Sequence, residues 1–552
     1  MNHKLILVLV CLFVTNVLAA QQTAKYWITF KDKADSPYRI NKPHEFLSPR
    51  AIERRTKQGI AIEENDLPVN PQYLQRVQAQ GAIIHNTSKW LNATTVIADS
   101  ISLERIDQLP FVDSIAYVGA YRDNQIKLKT GKKERDTWEN YKKMENRYGK
   151  GAHQIKMING HQLHDLGFRG NGVMVGILDG GFTNVDIMPF FDSMRIEERL
   201  LPGWDFVGND AYAYESSNHG SNVLSVMGSN LPGLFIGSAP GATFVCIKTE
   251  DSGSEYIVEE CNWVAGAEFA DSLGVDVINS SLGYSAFNDK SMNYKHSDLD
   301  GKTARASIAA DIAFSKGMIV VNSAGNSGDG WWKYIGVPSD GSDVLAIGAT
   351  DAEGNRASFS SKGVPADPRI KPNISAMGAG ITVASIYGYA TYPSNGTSFA
   401  SPLVAGAIAS LWQAFPNKSN REITNAVEQS ASQSDTPDKN LGYGIPDFYK
   451  AYQLLKAEGT VETIETEKSI KVFPNPFKNS FDVLLTTGRE EWVEVQVFDL
   501  LGRLIYLKSF AVQSFKANQL NIQLNPNTPA GYFFLNLKMG AEYFQAKLTK
   551  EP

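Results

Sequence analysis

The pattern of hydrophobic and polar positions divides the 552-residue chain into three regions. In the first, short alternating segments such as "KYWITFKDK" and "FVDSIAYVGAYRD" predict β-strands, and "LSPRAIERR" and "NPQYLQRVQAQG" have the spacing of amphipathic helices. Strands and helices mixed in this way predict a small α+β domain over residues 21–123.

The second region, residues 148–455, contains nearly continuous apolar segments that alternate with helical patterns. The segments read "VMVGILDGG", "ATFVCIKT", "DVINSSLG", "MIVVNSAGNSG" and "VLAIGAT". Because apolar residues fill both faces of such strands, they favour a parallel sheet covered by helices on both faces. The predicted fold class of this region is therefore α/β.

Helical patterns disappear in the third region, residues 469–552. Alternating segments such as "FDVLL", "EVQVFDLLGRLIYL", "NIQLN" and "GYFFLNLK" lie between turn residues, which is typical of a small β-sandwich. Polar linkers join the regions: residues 124–147 are rich in charged side chains, and residues 456–468 are polar and acidic.

The N-terminus has the features of an export signal. It reads "MNHKLILVLVCLFVTNVLAAQQ", where Lys4 precedes a short apolar run that ends in small residues at Ala19 and Ala20. This arrangement predicts a cleaved secretory signal peptide over residues 1–20. No later segment is apolar for long enough to cross a bilayer, so we expect no membrane span. A net charge of -6 argues against nucleic acid as a partner.

Cysteine usage gives little support to a metal centre. Of three cysteines, Cys11 falls in the signal peptide, which leaves Cys246 in a predicted buried strand and Cys261 in a predicted packed helix. Their spacing fits no zinc site, so no metal ligand is assigned. A disulfide between them and two separate buried thiols both stay open.

A serine in "YPSNGTSFASP" stands where a helix is predicted to begin. Ser398 precedes the helical pattern "LVAGAIASLWQ", and Pro402 fits the first turn of that helix because its missing N–H costs nothing there. A hydroxyl at a helix N-terminus lies among free backbone N–H groups that favour a developing negative charge. Ser398 is therefore either a nucleophile or a helix cap, and other parts of the chain must decide.

Further polar residues lie at the ends of predicted elements in the α/β region. Asp179 ends the strand "VMVGILD", at the sheet edge where ligand sites of α/β proteins gather, and His219 in "SSNHGSNVLSVMG" begins a helix. With Ser398 they supply a carboxylate, an imidazole and a hydroxyl, the set that makes a serine nucleophilic. Asn326 in "VVNSAGNSG" follows another strand, so its amide can join the Ser398 N–H in binding an oxyanion.

Together these motifs resemble those of the subtilisin-like serine proteases. "VGILDGG", "NHGSNV", "INSSLG", "SAGNSG" and "NGTSFASP" occur in the family's order and contexts, from about residue 148 to Ala451. The resemblance implies a secreted serine endopeptidase that works through an acyl-enzyme: Asp179 orients His219, His219 acts as base and then acid, and Ser398 attacks. The alternative is a catalytically silent, surface-carried binding or adhesive protein on the same fold.

The same resemblance implies further site residues. Asn326 is implied to bind the oxyanion. The residues that resemble the substrate-pairing strands are Gly253, Ser281, Leu282 and Gly283, and those that resemble a wall of the pocket before the cut are Ala324 and Gly325. We expect Trp331 and Trp332 in "GDGWWKYIGVPSDG" to narrow or roof that pocket. No cofactor is implied for catalysis, and structural calcium stays open without an assignable site, because the loop "GSNLPGLFIG" is shorter than the calcium-binding loop of some relatives.

The resemblance extends to both flanking domains. The N-terminal domain occupies the place of the family's inhibitory propeptide, whose last strand, "SIAYVGAYRD", is expected in the substrate cleft until the linker over residues 124–147 is cut. The C-terminal segments "VFPNPFKN" and "PAGYFFLNLKMG" are similar to type A sorting domains of the type IX secretion route of Gram-negative bacteria. A carbohydrate-binding or adhesive module is the rival interpretation of this tail.

These resemblances also imply partners and a location. The partners are protein or peptide substrates, the chain's own propeptide and the secretion machinery. The location is the extracellular medium or the outer-membrane surface of a Gram-negative bacterium.

Overall fold

The computed structural model describes residues 23–121, 146–458, 470–485, 491–500, 502–512, 518–539 and 542–551. The predicted signal peptide lies outside these ranges, as do the two predicted linkers except at their ends. Contacts divide the chain into two units, Met1–His161 with Arg169–Tyr452 and Gln162–Phe168 with Gln453–Pro552, and each is described by itself. In the described ranges no helix combines the length and the apolar character that a membrane crossing requires.

The N-terminal domain is an antiparallel sheet with helices packed against it. Its strands are β1 (Ala24–Phe30), β2 (Ile83–Ser88), β3 (Ala93–Ala98) and β4 (Val112–Ala120), in the order β2-β3-β1-β4. Its α-helices are α1 (Pro49–Lys57), α2 (Pro71–Gln78) and α3 (Ser100–Asp107). Val77 of α2 and Ile106 of α3 share a core with Ile28 and Val96 of the sheet. The α+β prediction for this domain is confirmed.

A parallel sheet forms the centre of the second domain. In chain order the strands are β5 (Met174–Asp179), β6 (Leu200–Asp205), β7 (Asn230–Leu231), β8 (Phe235–Ile236), β9 (Thr243–Lys248), β10 (Val277–Ser280), β11 (Ile319–Ser323), β12 (Leu345–Thr350), β13 (Ile374–Met377), β14 (Ala379–Ala384) and β15 (Thr391–Asn395). Within the described ranges, β7 with β8 and β14 with β15 form hairpins, and the other strands form the parallel sheet.

Helices cover this sheet on both faces. The α-helices of the region are α4 (Ala152–Met157), α5 (Gly160–Asp165), α6 (Asp192–Ile196), α7 (His219–Gly228), α8 (Val258–Leu273), α9 (Arg305–Ser315), α10 (Thr397–Ala414), α11 (Asn420–Ser430) and α12 (Phe448–Glu458). α7 packs with α10 and α8 packs with α9, and each pair contacts β5. Both faces of β5 are buried, as the continuous apolar pattern predicts.

The strand order explains where a site can form. The order is β13-β12-β11-β10-β5-β9-β6, so the chain after β5 first builds one side of the sheet and then, from β10 onward, the other side. A crevice opens at such a reversal, beyond the carboxyl ends of the strands. Asp179 ends β5 and Ser280 ends β10, and the two strands are paired neighbours. Both residues therefore lie at the edge where ligands bind.

The two cysteines in the described ranges are separate thiols. Cys246 lies in β9 and Cys261 in α8, and both are buried and free. Burial raises the pKa of the Cys261 thiol to about 12. The sequence leaves open a disulfide or two separate thiols, and in the structure the two cysteines are separate thiols.

The N-terminal domain contacts α8 through apolar side chains. Trp27 of β1 and Val118 of β4 share a buried cluster with Val258 and Cys261 of α8. The guanidinium of Arg305, the first residue of α9, lies over the Trp27 ring at 5.5 Å from its centroid. The sheet of the N-terminal domain therefore rests on two helices of the second domain.

Asp271, near the end of α8, binds three cations of the N-terminal domain. Its carboxylate accepts hydrogen bonds from Arg54 Nη2 at 2.6 Å, Arg55 Nη2 at 2.9 Å and Lys89 Nζ at 2.8 Å. Burial alone would raise the pKa of Asp271, but Lys89, Arg54 and Arg55 outweigh it and hold the pKa well below its ordinary value of 3.8. A buried network of charges thus joins the two domains.

The C-terminal unit is a two-layer β structure. Its strands are β16 (Ile470–Phe473), β17 (Ser480–Leu485), β18 (Glu491–Asp499), β19 (Leu504–Val512), β20 (Asn518–Gln523), β21 (Gly531–Met539) and β22 (Glu542–Lys550). They form the sheets β16-β17-β20 and β19-β18-β21-β22. Val483 of β17 and Val495 of β18 belong to one buried cluster, so the two sheets share a core. The predicted β-sandwich is confirmed.

Candidate active site

Asp179 and His219 are in direct contact. Asp179 is fully buried at the end of β5, and its Oδ1 and Oδ2 lie 2.8 and 3.0 Å from Nδ1 of His219. Because a carboxylate only accepts hydrogen bonds, Nδ1 is the donor and Nε2 is the basic nitrogen of the ring. His219 begins α7, and a Cβ on the next residue, Gly220, would lie 2.5 Å from the Gly181 carbonyl oxygen. Glycine at this position lets α7 start beside the turn that follows β5.

The environment of His219 makes its imidazole more basic. Burial lowers its pKa, but the negative charge and the hydrogen bond of Asp179 and the charge of Glu250 act in the opposite direction. The net result is a pKa above the ordinary value of 6.5. His219 can therefore take a proton readily, and the resulting cation has an anion behind it.

Ser398 is the second residue of α10 and is 8% exposed. Its Oγ donates a hydrogen bond to the Ser281 carbonyl oxygen at 3.3 Å. The N-cap of α10 is Gly396, and no side-chain capping bond is present at this helix start, so the helix-cap interpretation of Ser398 is wrong. The ring of His219 lies 5.6 Å from the ring of Phe399, the residue next to Ser398, which brings the imidazole to the start of α10.

Pro402 lies inside α10, and the prediction that it occupies the first turn is wrong. A proline at this position removes the N–H that would bond to the carbonyl four residues earlier, which is that of Ser398. The hydroxyl of Ser281 replaces it, because Ser281 Oγ donates to the Ser398 carbonyl oxygen at 2.8 Å. Ser281 and Ser398 are thus joined by hydrogen bonds in both directions.

The side-chain amide nitrogen of Asn326 and the backbone nitrogen of Ser398 lie beside one small space. Oδ1 of Asn326 accepts from Thr397 N at 2.9 Å and from Thr397 Oγ1 at 3.0 Å, which fixes the orientation of the amide. A Cβ on Gly396 would lie 3.7 Å from Asn326 Nδ2 and 3.6 Å from Ser398 N. Gly396 has a φ of +149°, a conformation that favours glycine, and the absent side chain leaves this space open.

The predicted substrate-pairing residues lie in two segments. In the first, Ser281 is buried, Leu282 is half-buried with its carbonyl oxygen bonded by Asn322 Nδ2 at 3.1 Å, and Gly283 is exposed. In the second, Gly253 is exposed and its N–H donates to Asp251 Oδ1 at 3.0 Å.

Hydrogen bonds hold these two segments together. Tyr284 Oη donates to Glu250 Oε2 at 2.9 Å. The Asn288 N–H donates to the Glu255 carbonyl oxygen at 2.8 Å, and the Glu255 N–H donates to Asn288 Oδ1 at 2.8 Å. Exposed glycines on neighbouring segments leave room for an extended peptide between them.

The predicted pocket wall and the tryptophan pair have different exposures. Ala324 is fully buried, and the N–H of Gly325 donates to Thr397 Oγ1 at 3.2 Å, which connects this wall to the start of α10. Trp332 is only 4% exposed, and its indole N–H donates to the Ile335 carbonyl oxygen at 3.0 Å. Trp331 is 75% exposed. Trp332 therefore belongs to the core, and Trp331 is the tryptophan of the pair that lies on the surface.

A group of acidic residues next to the site is not among the residues predicted from the sequence. One oxygen each of Glu250, Glu255 and Glu259 lies within 4.8 Å of the others. Among the described residues, this is the one group of three or more acidic, histidine or cysteine side chains that are close enough to share a cation. The signal was present in the acidic stretch "TEDSGSEYIVEE", which surrounds the predicted substrate residue Gly253.

Three protein-family descriptions match separate parts of the chain. The Subtilase family matches residues 170–444, and the Peptidase S8 propeptide domain of Bacteroidota matches residues 25–136. The secretion system C-terminal sorting domain matches residues 471–551. The last match agrees with the predicted sorting function of the tail and with release to the extracellular medium or the outer-membrane surface.

Individual proteins are similar to about half of the chain. Subtilisin DY from Bacillus licheniformis is 32% identical over 312 residues, which is 56% of this chain and 97% of that protein. Subtilisin E from Bacillus subtilis (strain 168) is 31% identical over 284 residues, or 50% of this chain and 65% of that protein. The solved structure of MycP1 from Mycobacterium smegmatis has 20% identity and a TM-score of 0.42 and covers 56% of this chain and 89% of that chain.

The Subtilase family match and the two subtilisins agree on one assignment, and neither supports the alternative of a catalytically silent binding protein. Subtilases act without a catalytic cofactor. The chain belongs to the subtilase family and is a secreted serine endopeptidase with its own propeptide domain and a C-terminal sorting domain.

Proposed function

We propose that Ser398 is the nucleophile of this endopeptidase, that His219 is its general base and acid, and that Asp179 orients the imidazole. The hydrogen bonds from His219 Nδ1 to both oxygens of Asp179 support the last two roles. The position of Ser398 at the start of a long helix supports the first, because the positive end of the helix favours the negative charge that develops on attack.

Each residue has a defined task in the proposed reaction. Nε2 of His219 takes the proton from Ser398 Oγ as this oxygen bonds to the substrate carbonyl carbon. The imidazolium, stabilised by Asp179, then gives the proton to the leaving amine, and the acyl group stays on the serine. Water enters, His219 removes a proton from it, and attack on the acyl carbon releases the second product and restores the Ser398 hydroxyl.

The observation that best supports this function is the proximity of two N–H donors to the open space beside Gly396. A carbonyl oxygen that becomes an oxyanion needs donors already in place, because preorganised donors need no rearrangement during the reaction. Asn326 Nδ2 and the Ser398 N–H lie 3.7 and 3.6 Å from one point in this space. We assign them as the oxyanion-binding pair.

The substrate is proposed to bind as an added strand. The backbone of Gly253 and of Ser281, Leu282 and Gly283 pairs with an extended protein or peptide, and Ala324 and Gly325 form a wall of the pocket for the residue before the cut bond. Main-chain pairing of this kind accepts many sequences, so side-chain preference has to come from the pockets.

We further propose how the precursor is divided. The inhibitory propeptide covers residues 21–123, the peptidase covers residues 148–455, and the sorting domain begins near residue 469 after the linker of residues 456–468. Processing occurs within residues 124–147, where the polar sequence favours access by a protease. The matches to residues 25–136, 170–444 and 471–551 support this order of domains.

The oxyanion assignment predicts the effect of Asn326→Ala. We expect kcat to fall about 100- to 1,000-fold with little change in KM, because the amide meets full charge only in the transition state. Steady-state kinetics on a short chromogenic peptide measure both constants. Asn440→Ala, which changes an exposed asparagine of a turn, serves as the matched control. An effect of Asn326→Ala confined to KM would contradict the assignment and indicate substrate positioning.

The raised pKa of His219 predicts a pH profile. Protonated His219 cannot accept the Ser398 proton, so kcat/KM should fall as the pH drops through its pKa, with a midpoint above 6.5. The measurement is kcat/KM for a neutral peptide at several pH values, with thermal unfolding followed in the same buffers to separate titration from denaturation. A midpoint at or below 6.5 in folded enzyme would contradict the proposed influence of Asp179 on the imidazole.

A further inference from the structure

Glu250, Glu255 and Glu259 form a compact acidic group beside the site. One oxygen from each residue lies within 4.8 Å of the other two. Three oxygens with this spacing can each lie about 2.8 Å from a shared nitrogen, which is the length of a charged N–H···O hydrogen bond. A lysine ammonium carries three such donors on one nitrogen. The geometry therefore matches an ammonium group.

Glu259 is the most buried member of this group. Its side chain is fully buried, and neither of its carboxylate oxygens accepts a hydrogen bond from an N–H or hydroxyl donor. Its contact with Glu250 is a carboxyl–carboxylate hydrogen bond, which requires that the two acids share a proton. A buried carboxylate without a donor is costly, and natural proteins rarely leave such a group unsatisfied unless it has a function. One oxygen of Glu250 is already satisfied by Tyr284 Oη at 2.9 Å. Glu259 is therefore the member that most needs a donor.

Electrostatics also favour a cation at this group. Burial, and then the neighbouring carboxylates, raise the pKa of Glu250 and Glu259. Burial raises the pKa of Glu255 to about 7. Acids with raised pKa values hold protons that a bound cation would displace.

The acidic group lies where the proposed substrate strand passes. Glu250 and Glu255 flank the exposed Gly253, and Tyr284 directly follows the exposed Gly283. A chain that pairs with both segments therefore runs over the acidic group, and alternate side chains of an extended peptide point toward the enzyme.

The N-terminal domain already places polypeptide beside this group. A Cβ on Gly119, near the end of β4, would lie 2.9 Å from Cβ of Tyr256, the neighbour of Glu255. Lys25 of β1 lies within electrostatic range of Asp251 and Glu259, although burial dominates and lowers its pKa. A chain segment and a cationic side chain thus approach the acidic group in this form of the protein.

We propose that Glu250, Glu255 and Glu259 bind the cationic side chain of a lysine or arginine that lies N-terminal to the cleaved bond. The proposal rests on the peptidase function proposed above. Calcium is the competing occupant, but it requires six to eight oxygen ligands, and one oxygen of Glu250 is engaged by Tyr284. The subsite would make this endopeptidase selective for basic segments of proteins, whatever residue precedes the cut.

Matched peptides test the proposal directly. Internally quenched neutral peptides carry a single lysine, or norleucine of similar length, at the second, third or fourth residue before the cut bond, and mass spectrometry identifies that bond. With processed enzyme, we expect kcat/KM for the lysine peptide to exceed that for the norleucine peptide by about tenfold or more at one of these positions. Glu259→Gln should bring this ratio close to one.

The ratio is taken within one preparation, so the fraction of folded enzyme cancels. Glu255→Gln, at the half-exposed rim, gives a second measurement if Glu259→Gln folds poorly, and it should also lower the ratio. Glu197→Gln is the control and should leave the ratio unchanged, because this exposed residue precedes the amino end of β6, whereas Glu250 follows the carboxyl end of the parallel neighbour β9.

Three outcomes would overturn the subsite. The first is a ratio near one at all three positions in wild-type enzyme that still cleaves the neutral peptides, which leaves the proposed function intact. The second is an unchanged ratio in folded Glu259→Gln. The third is a lysine preference that disappears when calcium is added to chelator-treated enzyme while the unfolding temperature rises, which would assign the group to the metal. Failure to cleave any peptide would instead count against the proposed function.

Discussion

Ser398→Ala is expected to lower kcat for peptide hydrolysis by about a millionfold while the chain still folds. The hydroxyl is the group that bonds to the substrate carbon. Without it, His219 and Asp179 have no nucleophile to activate, so the fall in kcat should equal that caused by removing all three side chains. The Ser398 side chain makes a single hydrogen bond to the Ser281 carbonyl, which is a small part of the packing around α10.

Casein hydrolysis and N-terminal sequencing measure this effect together. Ser398→Ala should remain a longer precursor if the enzyme cuts its own linker, whereas wild-type protein should begin within residues 124–147. Ser315→Ala, an exposed serine at the end of α9, is the matched control and should be processed normally. Casein cleavage by Ser398→Ala above about one per cent of wild type would refute the nucleophile assignment.

Asp271→Asn is expected to weaken the hold of the cleaved propeptide on the enzyme by about a hundredfold to several thousandfold. Arg54, Arg55 and Lys89 share this carboxylate in a buried interface. The amide would remove the anion of Arg54 and Lys89 and leave Arg55 with Asp66 alone. Removal of one partner from a buried charge network costs about 3–5 kcal/mol, much of it from the desolvated charges that remain. The variant should therefore release its propeptide at concentrations at which wild type is still inhibited.

Dilution of the processed complex provides the measurement. The concentration at which half of the enzyme is active reports the dissociation constant, and this concentration should rise in Asp271→Asn. Glu53→Gln is the control, because Glu53 lies on the same propeptide helix as Arg54 and Arg55 but its side chain is 61% exposed and pairs with Lys57. Equal dissociation constants for wild type and Asp271→Asn would show that the network contributes nothing to inhibition.

Features that depend on local sequence were predictable. The end of β5 at Asp179 and the beginning of α7 at His219 follow from apolar runs that stop at polar residues and glycine. The parallel order of the central strands follows from apolar residues on both faces. These rules bring Asp179 and His219 to one edge of the sheet, which is where the structure has them.

Features that depend on distant partners were not predictable from periodicity. Pro402 is tolerated inside α10 because a hydroxyl from Ser281, distant in sequence, replaces the missing donor, and a helix pattern carries no information about such a partner. β2 and β3 are also absent from the predicted elements, because polar residues in "IIHNTS" and "ATTVIA" weaken the strand pattern that antiparallel pairing nevertheless stabilises.

The acidic group illustrates a third kind of limit. Glutamates in "TEDSGSEYIVEE" are typical of an exposed helix start, and negative charge in the first turn is favourable there. Only the fold turns Glu259 inward and brings Tyr284 from another segment to Glu250. Burial of this kind depends on tertiary packing, which residue spacing alone does not specify.

The reciprocal hydrogen bonds between Ser281 and Ser398 have a consequence for redesign of this enzyme. They tie the segment that receives the peptide backbone to the residue that attacks it, so a displacement of one moves the other. Substitutions within residues 281–283 should therefore change the speed at which every peptide is cut. Among the described contacts the segment around Gly253 is bonded to Tyr284 and Asn288 and not directly to Ser398, so substitutions there should disturb the attacking residue less while they change cleavage preference.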